Sequence, residues 1–201
     1  MTMALFEDIK RIAEKATGWA RPSGRDLACL IRARKPHTFR FKDDGTIPNN
    51  PRWPLVLYRT PARLPASLDP AAVLEDLFER NGWRDCWRNG IYDYVHYHSR
   101  IHEVLGIARG TAKVQFGGSK GRTLKLKAGD VAVLPAGTGH RCVSASEDFL
   151  VVGAYPPFGE YDECRTAPEE RERARLTIPK VARPRKDPVY GSEGPLVRVW
   201  R

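Results

Sequence analysis

Apolar residues follow two different spacings along the chain, helical near the N-terminus and alternating in the middle. Residues 3–15 place Leu5, Phe6, Ile9, Ile12 and Ala13 on one face of a helix that is predicted to end by Gly18. The opposite face mixes acids with bases, which favours packing on the protein body or on a second subunit over a membrane surface. A second, weaker element is predicted over 26–34.

A longer helix is predicted from Asp69, a capping residue followed by proline at the first helical position, to a stop at Gly82. Its apolar residues recur on one face. Before it, residues 54–58 (PLVLY) predict a short buried strand, and residues 42–45 and 48–51 have turn composition.

From residue 91 to 155 the apolar residues alternate, and glycine-containing turns recur about every 8–12 residues. This pattern predicts one all-β sandwich or barrel of short strands. After it, Thr166 to Glu169 form a predicted capping box that begins a short helix reaching about Leu176. The proline-rich tail is predicted to be non-helical and to end, over 196–200, in an edge strand or an arm.

Length and composition indicate one globular domain with appendages. The chain has 201 residues, 41% of them apolar and 29% charged, and no apolar run approaches the ~18 residues that a membrane span needs. Acids near the N-terminus argue against a signal or transit peptide, so a cytoplasmic location is expected. The four cysteines lie far apart without a CxxC pair, which predicts reduced thiols.

The net charge of +10 raises the question of nucleic-acid binding. The 34 basic residues are spread along the chain, and the dense stretch 171–185 has glutamates beside it. A solvated, arginine-rich surface is therefore predicted, with no nucleic acid and no membrane as partner.

Four of the five histidines fall between positions 96 and 140. His96 and His98 would point the same way from a strand, because side chains alternate faces, and could hold one ion from one wall. The pair alone is weak evidence, since histidines at this spacing are often ordinary surface or core residues.

Fixed intervals around the pair make the pattern specific. The first segment holds Gly90, His96, His98, Glu103 and Gly110, and the second holds Gly129, Pro135, Gly137 and His140. The first segment matches the first cupin motif and the second segment matches the second. The one departure is Ser144, which stands where the second motif usually ends in asparagine.

The resemblance continues through FKDDGTIPNNP, NGWRDCWRNGIYDYVHYHS, HEVLGIARG, GDVAVLPAGTGH, DFLVVGAYP and DPVYG, so the chain from about Phe39 onward resembles the YjlB-type single-domain cupins. The resemblance implies an antiparallel cupin (RmlC-like) barrel or jelly roll with peripheral helices. It divides the chain into an N-terminal helical extension, 1–38, and a barrel with a C-terminal helix and a proline-rich arm, 39–201. It also implies a metal held by His96, His98, Glu103 and His140.

Three imidazoles and one carboxylate suit one divalent transition metal, with iron preferred and zinc, nickel or manganese as alternatives, and leave one or two positions open. The alternative is a set of polar residues that are merely hydrogen-bonded inside a barrel. Glu103 is preferred over His102 as ligand, because it would share the inner face of its strand with Leu105 and Ile107. His102 is expected to support the site from the rim.

Three further residues are candidates for the surroundings of the site. Tyr94 and Cys142 share strand parity with His96 and His140, although filling the barrel is the favoured role of both. Arg109 could meet an anionic substrate, but exposure is the default for one arginine among many.

The preferred function is a metal-dependent enzyme acting on a small organic molecule, with an oxygenase ahead of an isomerase or a hydrolase. The alternative is a non-catalytic barrel that binds or senses a small ligand, since fold alone does not separate the two. A regulator of transcription would need a helix-turn-helix, of which residues 3–34 show no clear pattern. A homodimer is expected through exposed sheet edges and terminal arms.

Overall fold

The computed structural model describes residues 22–201, and its body consists of two antiparallel sheets. The larger sheet has the strand order β1-β2-β7-β4-β9-β3 and the smaller one the order β6-β5-β8. The strands are β1 His37–Phe39, β2 Leu55–Tyr58, β3 Arg84–Asn89, β4 Glu103–Arg109, β5 Thr111–Phe116, β6 Arg122–Lys127, β7 Val131–Leu134, β8 His140–Ala145 and β9 Leu150–Tyr155. The predicted all-β architecture is confirmed.

Helices flank the sheets: α1 Gly24–Leu30, α2 Pro70–Arg80, α3 Pro168–Thr177 with a 3-10 turn at Ile178–Lys180, and α4 Pro195–Val199. The helix predicted over 3–15 lies outside the described residues. None of the helices from residue 22 onward is long and apolar enough to cross a membrane.

The four central strands of the six-stranded sheet are buried on both faces, as their nearly unbroken apolar runs indicate. Leu105 and Ile107 point towards the smaller sheet, where they join Val114 and Phe116 in one core cluster. Val104, which precedes Leu105 in sequence, points the other way into a second cluster beneath α2. One face of β4 therefore lines the inside of the barrel, and the other holds the helical layer.

The sequence signals at α2 are confirmed. The Asp69 side chain accepts a hydrogen bond from the Ala71 N–H at 3.0 Å, and Pro70 occupies the first turn. Past the helix, Gly82 adopts a left-handed φ of 82°, which glycine tolerates at little cost.

Two predictions about the C-terminal part are wrong in detail. α3 forms, but its N-cap is Ala167 without a side-chain bond, because Pro168 begins the helix one residue later than a cap at Thr166 would. The end of the chain is a short helix, α4, rather than a strand or an arm. Pro195 stands at its start, where the missing N–H costs nothing, so proline here begins the helix instead of preventing it.

The C-terminal segment is fastened to the core by a buried aspartate. Asp187 accepts hydrogen bonds from the Tyr58 hydroxyl at 2.5 Å and from the backbone N–H groups of Val189, Tyr190 and Leu196. Farther on, the Trp200 indole N–H donates to the Pro54 carbonyl at 2.8 Å. The DPVYG segment thus has a structural role, joining the end of the chain to β2.

Candidate metal centre

Backbone pairing brings three histidines together. His96 and His140 lie opposite each other in an antiparallel bridge, with N–O distances of 3.2 and 2.9 Å, so their imidazoles lie side by side. Tyr97 points to the opposite side and is fully buried there, which leaves His96 and His98 on one face as their spacing predicts. One ligand nitrogen from each of His96, His98 and His140 falls within 4.8 Å of the others.

Each of the three imidazoles is oriented by a backbone carbonyl. The Nδ1 of His96 lies 3.3 Å from the Tyr94 carbonyl, that of His140 lies 3.1 Å from the Thr138 carbonyl, and that of His98 contacts the Asp162 carbonyl. A carbonyl only accepts, so each Nδ1 must carry the proton and donate. The Nε2 atoms are then the ones that can serve as ligands, an arrangement typical of metal-binding histidines.

Glu103, the first residue of β4, completes the cluster. Its carboxylate oxygens lie 3.5 Å from the Nε2 of His98 and 3.4 Å from the Nε2 of His140. Its Oε2 is buried and has no hydrogen-bond partner. A buried carboxylate oxygen without a donor is costly unless a cation satisfies it, so the residues present fit a divalent metal.

The electrostatics of the cluster follow from burial and mutual proximity. Burial and the neighbouring His96 lower the pKa of His140 to about 3. Although burial opposes the change, the Glu103 carboxylate raises the pKa of His98 to about 9. Burial likewise opposes ionisation of Glu103, but the three imidazoles hold the pKa of its carboxyl below the usual range. Without a metal, the cluster therefore stores its positive charge on His98.

Two buried asparagines hold the turn that delivers His140. The Asn50 side chain donates to the Ala136 carbonyl at 2.9 Å, and the Asn49 side chain contacts both the Gly117 carbonyl and the Gly139 N–H. From the sequence, these two residues were predicted only to lie in a turn. The structure shows that they join the turn before His140 to the neighbouring loops.

A cavity of about 350 Å³ opens onto the cluster. Besides the four candidate ligands it is lined by Trp87, Arg88, Asn89, Gly90, Ile91, Tyr92, Leu105, Tyr155 and Tyr161. The aromatic residues among these were not identified from the sequence. Tyr155 lies on the same face of β9 as Val151, which belongs to the inner core. This strand alternation was the one signal in the sequence that could have placed Tyr155 in the cavity.

Comparison with known proteins agrees with this geometry. The cupin-domain family matches residues 88–152. The protein YjlB of Bacillus subtilis (strain 168) is 42% identical over 167 residues, which make up 83% of this chain and 98% of YjlB. This chain is a cupin of the YjlB family.

Solved structures resemble the cupin more remotely. Oxalate decarboxylase from Bacillus subtilis at pH 4.6 is 18% identical, with 63% of this chain and 32% of that chain covered and a TM-score of 0.34. Acireductone dioxygenase from Bacillus anthracis with a cadmium ion in its active centre is 19% identical, with 43% and 59% covered and a TM-score of 0.30. The cupin spans about a third of the decarboxylase chain, and at these TM-scores neither likeness says what it binds.

Trp87 reaches the cavity of the cupin because a glycine lies beneath it. Gly153 is its partner on β9, and a Cβ built at Gly153 would lie 2.1 Å from the indole ring. We expect Gly153→Ala to displace the indole and to lower the free energy of unfolding by about 1–3 kcal/mol, the range for overpacked cores. Urea unfolding measures the change, and Gly90→Ala, where a Cβ meets nothing within 4 Å, is the control. Equal stability of the two variants would contradict the close contact.

His102 does not line the cavity of the cupin, which corrects the expectation of a position at its rim. Its ring is buried between Trp53 and Trp200, with centroid distances of 5.5 and 4.9 Å. Its Nδ1 accepts from the Ala136 N–H at 2.8 Å, and its Nε2 lies 3.1 Å from the Ala182 carbonyl. The regular β4 strand sends it to the face opposite Glu103.

Because it is buried, His102 should make the cupin sensitive to acid. Burial lowers its pKa to about 3, since a second proton would break the bond from Ala136. Below pH ~6.5 the unfolded chain binds a proton that the folded chain does not, so stability falls as the pH falls from ~6.5 towards 3. Between pH 7 and 5 we expect His102 to account for a loss of about 2 kcal/mol. Urea titrations at both pH values should show a smaller loss in His102→Gln, and an equal loss would contradict the assignment.

The other candidates of the cupin occupy different places. Tyr94 lies beside the cluster, where its hydroxyl donates to Glu163 at 3.2 Å and Arg165 covers its ring. Cys142 packs at the border of the inner core, and burial raises the pKa of its thiol. Arg109 is the last residue of β4, whereas Glu103 is the first, and its side chain is exposed. It does not line the cavity, so a role in binding substrate there is not supported.

Proposed function

We propose that this cupin binds one divalent transition metal through His96, His98, Glu103 and His140 and acts as an enzyme on a small organic molecule. One observation carries the proposal. Three oriented imidazoles and a carboxylate oxygen without a hydrogen-bond partner meet at the edge of a 350 Å³ cavity. A structural metal would not require an adjoining cavity.

The residues of the chain have separate tasks in this scheme. A bound divalent metal would polarise an oxygen atom of the substrate. Tyr155 stays protonated, since burial and then Glu103 raise the pKa of its hydroxyl, and its oxygen accepts from the Trp87 indole N–H at 2.9 Å. Its own O–H is therefore free to donate to Glu103 or to a ligand oxygen at this end of the cavity. Glu103 acts as ligand or, when displaced, as base.

Within this scheme we favour an oxygenase that uses iron, with an isomerase or a hydrolase as alternatives. Mixed imidazole and carboxylate donors with open positions suit Fe(II), and they also suit Zn(II), Ni(II) and Mn(II). A barrel that only binds or senses a ligand would use the same residues, so turnover is the property that distinguishes the two.

The test begins with elemental analysis of protein purified without chelator, where we expect close to one divalent metal per chain. Protein loaded separately with Fe(II), Mn(II), Ni(II) or Zn(II) is then assayed for oxygen uptake and product formation with catechols, flavonols and small thiols. Metal binding with ligand binding but no turnover would favour the binding module. Absence of metal binding would contradict the proposal.

The homodimer and the cytoplasmic location stay predictions. The four cysteines are free in the structure, as the absence of CxxC pairs predicts. Light scattering during size-exclusion chromatography would measure the oligomeric state.

A further inference from the structure

The walls of the cavity present ring surfaces rather than charged groups. Tyr92 and Tyr161 line its mouth and are 45% and 54% exposed, so two phenol rings stand at the entrance. Deeper in, the Trp87 indole N–H is occupied by the Tyr155 oxygen, and the Tyr155 O–H stays available to donate to a ligand. Together with the apolar side chains of Ile91 and Leu105, they leave a wall suited to a flat, ring-containing ligand.

Among the described residues that line the cavity, none outside the proposed metal ligands offers an unpaired cation to an acidic ligand. Arg88 is the only arginine or lysine among the described residues that line it. Its guanidinium forms a bidentate pair with Glu75, at 2.7 and 2.8 Å, and a further bond to Asp69 at 2.8 Å. Strand alternation sends Arg88 to the α2 side of β3, while its neighbour Trp87 points into the barrel.

The charge balance then limits the ligand. A divalent metal bound by neutral imidazoles and by the Glu103 carboxylate leaves a net charge of one positive unit. One ionised oxygen of a ligand would neutralise it. A second anionic group on the same ligand would lie against aromatic walls without a counter-charge, and an unpaired buried charge is strongly disfavoured.

We propose that the ligand of this cavity is a planar phenol or enol that chelates the metal through neighbouring oxygen atoms, and that ligands with an additional carboxylate are rejected. The inference rests on the proposed function, because it takes the metal to be bound at His96, His98, Glu103 and His140. The volume of about 350 Å³ lies at the low end of the ~300–1,000 Å³ range of ligand pockets, which suits one or two rings.

Matched ligands test the charge preference directly. Protein loaded with Co(II) is freed of unbound metal and titrated under argon with catechol and with 3,4-dihydroxybenzoate, which adds one carboxylate to the same ring. Calorimetry and the visible absorption of cobalt report binding without any need for turnover. We expect catechol to bind at least about tenfold more tightly than 3,4-dihydroxybenzoate, the ratio expected when burial of one unpaired charge costs a modest free energy.

Two pairs of variants separate charge from shape. Ile91→Arg places a cation on the wall and should reduce the preference for catechol over 3,4-dihydroxybenzoate by at least about fivefold, whereas Ile91→Gln should preserve it. Tyr161→Ala should weaken catechol about fivefold or more, and Tyr161→Phe, which keeps the ring, should stay within about twofold. Because each ratio compares the same two ligands, intrinsic differences in their affinity for cobalt cancel.

The outcomes distinguish this inference from the proposed function. If Co(II) binds but 3,4-dihydroxybenzoate binds as tightly as catechol, the charge preference is wrong while the metal site stands. If Co(II) binds and catechol does not, the ligand class is wrong. Failure of wild-type protein to bind Co(II) overturns the proposed function and the inference with it.

Discussion

Replacing His140 with alanine is expected to lower the affinity for divalent metal by more than about a hundredfold, beyond the ~10–100-fold loss typical of groups that only orient a ligand. His140 supplies one of four proposed bonds, and its Nε2 lies 3.4 Å from the Glu103 carboxylate. Competition titration with a chromophoric chelator measures the affinity, and elemental analysis measures the occupancy.

The matched control is His37→Ala, because His37 is exposed on the edge strand β1. It should keep full metal content. A second comparison tests the assignment on β4: Glu103→Gln should lose affinity, whereas His102→Gln should keep the metal although it loses stability. Full occupancy in His140→Ala, or loss of metal only in His102→Gln, would overturn the ligand assignment.

Replacing Asp187 with alanine is expected to destabilise the fold by about 4 kcal/mol or more, because the change leaves buried donors without an acceptor at a cost of about 1–3 kcal/mol each. These donors are the Tyr58 hydroxyl and the N–H groups of Val189, Tyr190 and Leu196. Urea unfolding followed by circular dichroism measures the free energy.

Tyr58→Phe is the matched control, since it removes one of these hydrogen bonds and should cost only about 1 kcal/mol. Metal content in folded Asp187→Ala should be unchanged, because Asp187 bonds Tyr58 and Leu196 of the cluster beneath α2 and not the proposed metal ligands. Equal stability of Asp187→Ala and wild type would show that the C-terminal segment is not held by this carboxylate.

Local patterns in the chain predicted an all-β sandwich or barrel, and the resemblance to cupins added the barrel and the four candidate ligands. Alternation placed Leu105 and Ile107 on the inner face and Val104 on the outer one, as the core clusters confirm. The same alternation put Glu103 beside the histidines and His102 on the opposite face. Such predictions succeed because they depend on strand parity and on turns, which are properties of neighbouring residues.

Contacts between distant segments decided the rest. The tail folds as α4 since Pro195 suits a helix start, and Trp200 then packs against Trp53, far away in sequence. Likewise β1 and β3, which no periodicity predicted, exist as the edge strands of the six-stranded sheet.

The character of the cavity also depends on tertiary structure. Sequence patterns predicted the all-β fold, and the resemblance to cupins implied the candidate donor set of three imidazoles and one carboxylate. It did not predict that Trp87 would lie over Gly153 beside Tyr155, or that Glu75 and Asp69 would neutralise Arg88. Those contacts join separate strands and a helix, so they depend on how the elements pack together. The residue pattern within a single element does not predict them.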